Sequence, residues 1–184
     1  ILVELKCSQA LIDDIIAKGG KPIMSATGHS LIENRMHTEK AIFAGEMSGH
    51  IYFGDEYYSF DDAIYAAARL LRLASQSDKK LSNLLLDMPK YFNTPEIRVD
   101  CSDEKKAEIV QKTKEFFLKK YPKSVIVDGI RIVFEDGWAL IRKSNTQPKL
   151  ILRFESRTQQ GLERIKQEVT QKLREFGQLQ NLKI

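Results

Sequence analysis

Residues 124–155, SVIVDGIRIVFEDGWALIRKSNTQPKLILRFE, determine the fold of the second half of this chain. Four segments of strand composition are separated by two Asp-Gly pairs and by the polar run Ser-Asn-Thr. Asp-Gly is favoured in tight hairpin turns because both residues tolerate a positive φ. Successive hairpins predict an antiparallel sheet, and the predicted strands are 124–127, 130–135, 138–142 and 150–155.

Helical patterns flank these strands. Residues 103–120 repeat apolar residues at helical spacing, and the predicted inward face consists of Ala107, Ile109, Val110, Phe116 and Phe117. A further strand is predicted at 96–101 and a last helix at 160–176. Strands between two helices predict an α+β domain, an antiparallel sheet packed on two helices, at 91–184. A linker containing two prolines, residues 88–95, precedes it.

The first half alternates strand and helix patterns, which predicts an α/β domain, a mixed sheet with helices, at 1–90. Predicted strands are 1–7, 21–24 and 41–44, and predicted helices are 8–18, about 27–37, about 59–75 and 81–87. We expect Ser8 to cap the first helix, Thr27 or Ser30 the second, and Ser59 or Asp61 the third. The third helix is expected to bury most of its apolar residues, namely Ile64, Ala67, Ala68, Leu71 and Leu73.

Composition limits the classes of function. The 184 residues carry a net charge of +4, and Lys and Arg are interleaved with Asp and Glu, which argues against a nucleic-acid surface. No apolar run approaches the roughly 20 residues of a membrane span. Two well-separated cysteines predict reduced, buried thiols and a cytoplasmic protein. The chain opens with Ile inside a predicted strand, so we expect it to be part of a longer protein.

Residues 142–148, Arg-Lys-Ser-Asn-Thr-Gln-Pro, form a candidate phosphate loop. A phosphate favours a guanidinium group together with hydroxyl and N–H donors. Arg153, on the neighbouring predicted strand, is placed to flank the same loop. The alternative is a polar hairpin with solvated arginines, because Ser, Asn and Thr also favour turns. The candidate phosphate ligands are Arg142, Ser144, Asn145, Thr146 and Arg153.

A second candidate site is the turn Gly-Glu-Met-Ser-Gly-His at 45–50. Glu46, Ser48 and His50 stand at alternate positions, between two glycines expected to let the backbone bend. Carboxylate, hydroxyl and imidazole groups suit the hydroxyls of a sugar. The alternative is a structural turn with a surface Glu and His.

Two further residues are candidates by position. His29 lies at the start of a predicted helix, where N–H groups favour an anion, although ordinary capping explains the same pattern. Lys6 ends the first predicted strand, where α/β sheets hold their ligands, although a solvated lysine is the default. No acidic cluster has metal-ligand spacing, and no Ser-His-Asp, Cys-His or P-loop pattern is present.

At these residues the sequence resembles the α-D-phosphohexomutase family, specifically its bacterial phosphomannomutase/phosphoglucomutase branch. The resemblance extends over all 184 residues and is strongest at 27–30, 45–50, 61–71 and 142–148. It implies the third and fourth domains of a four-domain enzyme, the fourth being TATA-box-binding-protein-like. Met47 and Asn145 favour this branch over the related phosphoglucosamine mutases, which carry Gln and Gly there.

The resemblance also implies a reaction. A phosphoserine donates its phosphoryl group to a hexose 1- or 6-phosphate, and the resulting glucose or mannose 1,6-bisphosphate returns the other phosphate. The phosphoserine and Mg²⁺ loops belong to the N-terminal domains 1 and 2, so this chain alone is expected to be inactive.

By resemblance, Glu46 and Ser48 hold sugar hydroxyls. The unreacting phosphate is held by Arg142, Ser144, Asn145, Thr146 and Arg153. Lys6, His29 and His50 lie near the sugar and the reacting phosphate. A stand-alone phosphosugar-binding or regulatory module is the alternative, and the sequence leaves mannose and glucose open.

Overall fold

The computed structural model describes residues 1–177. The chain divides into two compact units between Lys90 and Tyr91. Each unit has its own sheet and its own hydrophobic core. Among residues 1–177, no helix is both long enough and apolar enough to cross a membrane.

The first unit is built on a mixed four-stranded sheet in the order β2-β1-β3-β4. Strand β1 is parallel to β2 and β3, and β4 is antiparallel to β3. This arrangement confirms the predicted α/β fold class. The elements are β1 (Leu2–Glu4), α1 (Gln9–Ala17), β2 (Ile23–Ser25), α2 (His29–Glu39), β3 (Phe43–Gly45), β4 (Ile51–Phe53), α3 (Ala63–Ser75) and a 3-10 turn, Leu81–Asn83.

Strand β1 organises the core of this unit because its successive side chains point to opposite faces of the sheet. Leu2 packs in one cluster with Ile32 and Met36 of α2. Val3 packs in the other cluster, which includes Ile12 of α1. Helices therefore cover both faces of β1.

Of the three predicted helix caps in the first unit, only that of α1 is confirmed. Ser8 caps α1, since its hydroxyl accepts a hydrogen bond from the Ala10 N–H. For α2 the prediction of Thr27 or Ser30 is wrong, because Gly28 is the N-cap residue and provides no side-chain cap. For α3 the prediction of Ser59 or Asp61 is also wrong, because Asp62 accepts from the Tyr65 N–H at 2.9 Å.

Helix α3 does not form part of the core, contrary to the prediction. Ile64 is 85 % exposed and Leu71 67 %, and none of the residues of α3 is buried. The helix touches the sheet beside β4 and borders an open groove that Phe43, Phe53 and Leu73 help to line. The helical periodicity identifies the helix correctly, but the first unit provides no layer that covers its apolar stripe. The predicted helix 81–87 is reduced to the single 3-10 turn.

The second unit contains an antiparallel sheet in which β9 is central, paired with β8, β5 and β6, while β7 lies outside β8. One face packs against two long helices. The predicted α+β class is confirmed. The elements are β5 (Phe92–Asn93), β6 (Ile97–Asp100), α4 (Asp103–Lys120), β7 (Ile130–Val133), β8 (Gly137–Lys143), β9 (Lys149–Ser156) and α5 (Gln159–Gly177).

Alternation along the strands divides the two faces of this sheet. Ile132, Ile141 and Leu152 face the helices and belong to the buried core, together with Phe117 of α4 and Val169 of α5. The opposite face carries the polar and aromatic residues of β7, β8 and β9, namely Arg131, Trp138, Arg142, Arg153 and Glu155.

Two predictions for the second unit are wrong. Residues 124–127 are not a strand: only Val125 pairs, with Arg131, and Ile126 and Val127 are exposed. The intervening loop is longer than a two-residue hairpin turn, and Asp128 within it is bound to a side chain of β8, so the chain leaves the sheet after one pair. Ala107 is exposed, and its predicted place in the buried face of α4 is taken by Lys106 and Thr113.

Candidate functional site

The first candidate site lies at one edge of the first unit's sheet. Strands β1, β2 and β3 are parallel, so their carboxyl ends share that edge. Lys6 follows β1, His29 follows β2, and the turn 45–50 follows β3. The topology therefore gathers at one edge the three segments that the sequence singled out separately.

The turn at 45–50 is closed by its own backbone. The Glu46 N–H donates to the His50 carbonyl at 2.9 Å, and the Gly49 N–H donates to the Glu46 carbonyl at 3.0 Å. Gly49 has a φ of 94°, which an L side chain rarely adopts. Gly45 lies in β3 and is not among the described glycines with a positive φ, so the bend requires one glycine and not the two expected.

The Glu46 carboxylate is held in place by the Tyr52 hydroxyl. The buried Tyr52 hydroxyl donates to Glu46 Oε1 at 2.8 Å, and the exposed Ser48 hydroxyl donates to Oε2 at 3.3 Å. Burial, and then the hydrogen bond to Glu46, raises the pKa of Tyr52 well above its ordinary value, so the hydroxyl remains a donor. Each carboxylate oxygen can accept more than one hydrogen bond, which leaves Glu46 able to bind hydroxyls.

Glu4 connects the segments at this edge, although sequence reasoning did not select it. Its side chain is fully buried at the end of β1. One carboxylate oxygen accepts from the Thr27 hydroxyl and the other from the Met47 N–H at 3.5 Å. The available signal was a carboxylate inside the otherwise apolar run Ile-Leu-Val-Glu-Leu.

His50 is oriented by Asp61, a residue that the sequence predicts as a cap of α3. Its Nδ1 lies 2.5 Å from Asp61 Oδ2, and the His50 side chain is 51 % exposed. A carboxylate bound at Nδ1 favours a proton on that nitrogen and directs Nε2 elsewhere. Asp61 therefore supports His50 instead of capping α3.

The two remaining candidates at this edge differ in exposure. Lys6 is 7 % exposed in the turn after β1. His29 is exposed as the first residue of α2, next to Gly28, whose φ is 134°. Since Gly28 supplies no side-chain cap, the first N–H groups of α2 are not bound by an N-cap side chain.

The second candidate site is the loop between β8 and β9. Arg142 is 6 % exposed near the end of β8, and both its Nε and one terminal nitrogen contact Asp128 Oδ2, at 2.8 and 2.7 Å. Gly129 allows this contact: a Cβ there would lie 2.2 Å from the Ile141 carbonyl oxygen. The guanidinium is thereby held in one orientation.

Ser144 closes the loop from inside. Its N–H donates to the Lys149 carbonyl at 2.9 Å, and its hydroxyl oxygen accepts from the Gln147 N–H at 3.2 Å and from the Thr146 N–H at 3.4 Å. Because that oxygen is used as an acceptor, the hydroxyl proton remains available to a ligand. Asn145 and Thr146 form the exposed tip of the loop.

Lys106 of α4 reaches the same loop, and sequence reasoning did not select it. Its Nζ donates to the Ser144 carbonyl at 2.8 Å and to the Gln147 carbonyl at 3.1 Å. A lysine within an amphipathic helix gives no sequence signal for such a contact, since the two partners lie about forty positions further along the chain.

Arg153 is placed by strand register. It stands opposite Leu140, on the same face as Arg142. Its guanidinium carbon lies 6.0 Å from the ring centroid of Trp138. Trp138 and Arg142 are two residues to either side of Leu140 on β8, so Arg153 lies toward the Trp138 end of the strand and is less directly placed at the loop than Arg142.

Residues 1–177 contain no group of three or more His, Cys, Asp or Glu arranged to hold a metal ion. Both cysteines are free and buried, as predicted. Burial raises the pKa of the Cys101 thiol, which disfavours the reactive thiolate.

Two protein-family models match the chain. Residues 1–92 match the phosphoglucomutase/phosphomannomutase alpha/beta/alpha domain III, and residues 96–172 match the phosphoglucomutase/phosphomannomutase C-terminal domain. Among curated proteins, a phosphomannomutase/phosphoglucomutase of Pseudomonas syringae pv. tomato is 42% identical over 165 residues, which is 90% of this chain and 36% of that protein. A phosphomannomutase of Methanocaldococcus jannaschii is 38% identical over 157 residues, 85% of this chain and 34% of that protein.

Among solved structures, a phosphoglucomutase/phosphomannomutase family protein from Burkholderia thailandensis superposes with a TM-score of 0.84 at 35% identity. The superposition covers 94% of this chain and 36% of that chain. This chain thus spans little more than a third of the length of the curated relatives and solved structures it matches.

Proposed function

The chain belongs to the phosphoglucomutase/phosphomannomutase family, and on that premise we propose that it forms the sugar- and phosphate-binding half of a hexose-phosphate mutase. The parent enzyme would interconvert hexose 1-phosphates and hexose 6-phosphates. Its other half would provide the phosphoserine, and a glucose or mannose 1,6-bisphosphate would be the intermediate and activator.

The observation that carries this proposal is the prebuilt loop after β8. Arg142 is buried and fixed on Asp128, and Ser144 is fixed by the amides of its own loop. A phosphate dianion favours donors that are already oriented, because less conformational entropy is then lost on binding. Arg142, Ser144, Asn145 and Thr146 would bind the phosphate that is not reacting, and Arg153 would add charge on the same sheet face.

The turn after β3 would bind the sugar. Glu46 is held by Tyr52 and remains able to accept hydroxyl protons, and Ser48 lies within hydrogen-bond distance of the same carboxylate. A mutase must accept its substrate in two orientations, so this turn would contact hydroxyls presented similarly in both. Lys6, His29 and His50, at the same sheet edge, would face the sugar and the reacting phosphate.

The catalytic contribution of this half would be positioning and electrostatic stabilisation, which dominate phosphoryl transfer. The Mg²⁺ implied by the family does not fit residues 1–177, where no metal-binding group is arranged. We therefore assign no step of the reaction on this chain to the metal, and the chain by itself would not turn over substrate.

The test is a mutase assay of this chain joined to its upstream coding sequence, with Mg²⁺ and glucose 1,6-bisphosphate, on glucose 1-phosphate and mannose 1-phosphate. We expect activity from the joined protein and none from the chain alone. Arg142→Ala should lower kcat/KM about 100-fold, and Glu46→Ala should lower it about tenfold.

Arg164→Ala is the matched control, because Arg164 lies on α5 and pairs with Asp136, which precedes β8 at the end of that strand opposite the phosphate loop. It should leave kcat/KM unchanged. Mutase activity from the 184-residue chain alone would overturn the proposal. So would an inactive joined protein whose isolated C-terminal half still binds phosphosugars, which would indicate a stand-alone binding module.

A further inference from the structure

The unusual feature of the second unit is a buried lysine near the beginning of α4. Lys106 is the fourth residue of the helix and only 8 % exposed. The positive end of the helix dipole disfavours a cation there, and burying an ammonium group is costly unless it is fully hydrogen-bonded. A role in the helix alone therefore does not explain this lysine.

Three acceptors surround the three donors of this ammonium group. Its Nζ lies 2.8 Å from the Ser144 carbonyl oxygen, 3.1 Å from the Gln147 carbonyl oxygen and 2.5 Å from Asp103 Oδ1. Two of the three partners are backbone atoms of the candidate phosphate loop. Lys106 thus binds the beginning and the end of the loop to α4.

This contact fixes which way the loop's peptide groups point. In a trans peptide the carbonyl and the following N–H point in opposite directions. Because the Ser144 carbonyl faces Lys106, the Asn145 N–H points away from Lys106. The Ser144 side chain, which accepts the Thr146 and Gln147 N–H groups, stabilises the same conformation.

We infer that Lys106 is a positioning residue for phosphate binding. It does not touch the ligand: it holds Ser144–Gln147 in the shape that presents the Asn145 N–H and the Ser144 hydroxyl to a phosphoryl group. The inference rests on the proposed function, because it assumes that this loop binds phosphate.

The experiment titrates the whole 184-residue chain with inorganic phosphate and with glucose 6-phosphate. Amide NMR monitors the titration, at a temperature where every variant is folded. Lys106→Met removes the donors and keeps most of the side-chain volume. We expect it to weaken phosphate binding about tenfold, the scale of one lost ordering contact. We also expect faster amide hydrogen exchange at 144–147 without ligand.

Two control variants separate positioning from general effects. Thr113→Val removes a buried hydroxyl two turns further along the same helix face, where it donates to the Ile109 carbonyl, so it tests destabilisation without loop contact. Lys120→Met removes one positive charge at the far end of α4, where Lys120 pairs with Glu168, so it tests net charge. Both should bind phosphate like the wild type.

The two possible failures are distinguishable. If the wild type binds phosphate, Arg142→Ala abolishes binding and Lys106→Met binds as well as the wild type, the inference is overturned and the proposed function stands. If the Lys106→Met loss is matched by either control, positioning is also excluded. If the wild type shows no shift at 142–148 with millimolar phosphate, the proposed phosphate loop itself is contradicted.

Discussion

Asp128 and Arg142 form an ion pair that joins β8 to the loop before β7. Both charges are largely buried, with side chains 15 % and 7 % exposed. A buried pair of this kind adds little net stability compared with apolar residues, but removing one partner leaves the other charge uncompensated. The pair is therefore better understood as a device that orients the guanidinium.

This view predicts that Asp128→Ala lowers the free energy of unfolding by about 3 kcal/mol. The physical reason is the unpaired Arg142 charge that remains in the sheet. Chemical denaturation, monitored through the unfolding of the second unit, measures this change in free energy. The double variant Asp128→Ala/Arg142→Leu should recover much of the loss, because it buries no charge.

Asp100→Ala is the matched control for that prediction. Asp100 pairs with Lys149 on the same sheet, but its side chain is 90 % exposed, so the pair is screened and its loss should be nearly neutral. Equal destabilisation by Asp100→Ala and Asp128→Ala would show that burial of the Arg142 pair has no special role.

At the residue level, the sequence indicated the candidate ligand groups but not the residues that support their loops. Glu46, Ser144 and Arg142 stand in compact polar runs, where spacing alone is informative. Glu4 accepts from the Met47 N–H and Lys106 donates to the Ser144 carbonyl, each from about forty positions away and in a segment with no motif of its own. Contacts of that separation depend on the packed fold and leave no local pattern.

At the scale of elements, the start of α3 makes a prediction about pH. The Tyr65 N–H, and then the Tyr57 hydroxyl, stabilise the Asp62 carboxylate and lower the pKa of that group. A lowered folded-state pKa means that stability is present above the unfolded value of about 3.8. It is lost as the pH falls through the folded value.

Helix α3 should therefore keep its first turn down to the unfolded value of about 3.8 and lose it only at lower pH, as the cap is protonated. The Tyr65 amide shift, followed against pH, measures the transition. Asp62→Asn keeps a capping oxygen without a titratable group, so it should abolish the transition while keeping the helix. A transition that persists unchanged in Asp62→Asn would refute the assignment to this cap.

The exposed stripe of α3 makes a second prediction at this scale. Leu71→Ala removes a side chain that is 67 % exposed and should change the free energy of unfolding of this chain by less than about 0.5 kcal/mol. Leu2→Ala removes one that is 1 % exposed and should cost about 2–5 kcal/mol. Denaturant titration compares the two directly, and similar costs would mean that α3 is packed in the core.

The predictions that failed for α3, β4 and residues 124–127 have physical explanations. The amphipathic pattern of α3 identifies a helix but does not say whether a partner covers it. Strand β4 was not predicted. It has three residues and follows directly on the turn at 45–50, so it is too short to show the alternation of polar and apolar residues that indicates a strand. Residues 124–127 have strand composition, yet Asp128 is drawn to Arg142. The long helices α4 and α5 were predictable because periodicity over about eighteen residues is a strong signal.

At the scale of the whole molecule, we propose that the two units divide the recognition of a sugar phosphate between them. The first unit carries the groups suited to sugar hydroxyls, and the second carries those suited to a phosphate. The predicted fold classes of both units are confirmed, and family membership follows from the two domain matches. The roles of the two loops remain the proposal that a single experiment can test.

That experiment is amide NMR of the 184-residue chain titrated separately with inorganic phosphate, glucose and glucose 6-phosphate. We expect phosphate to shift residues 142–148, glucose at high concentration to shift residues 45–50, and glucose 6-phosphate to shift both sets. Arg142→Ala should abolish the first response and Glu46→Ala the second. Millimolar glucose 6-phosphate that shifts neither set, or shifts that survive both substitutions, would contradict the proposed roles of the two loops.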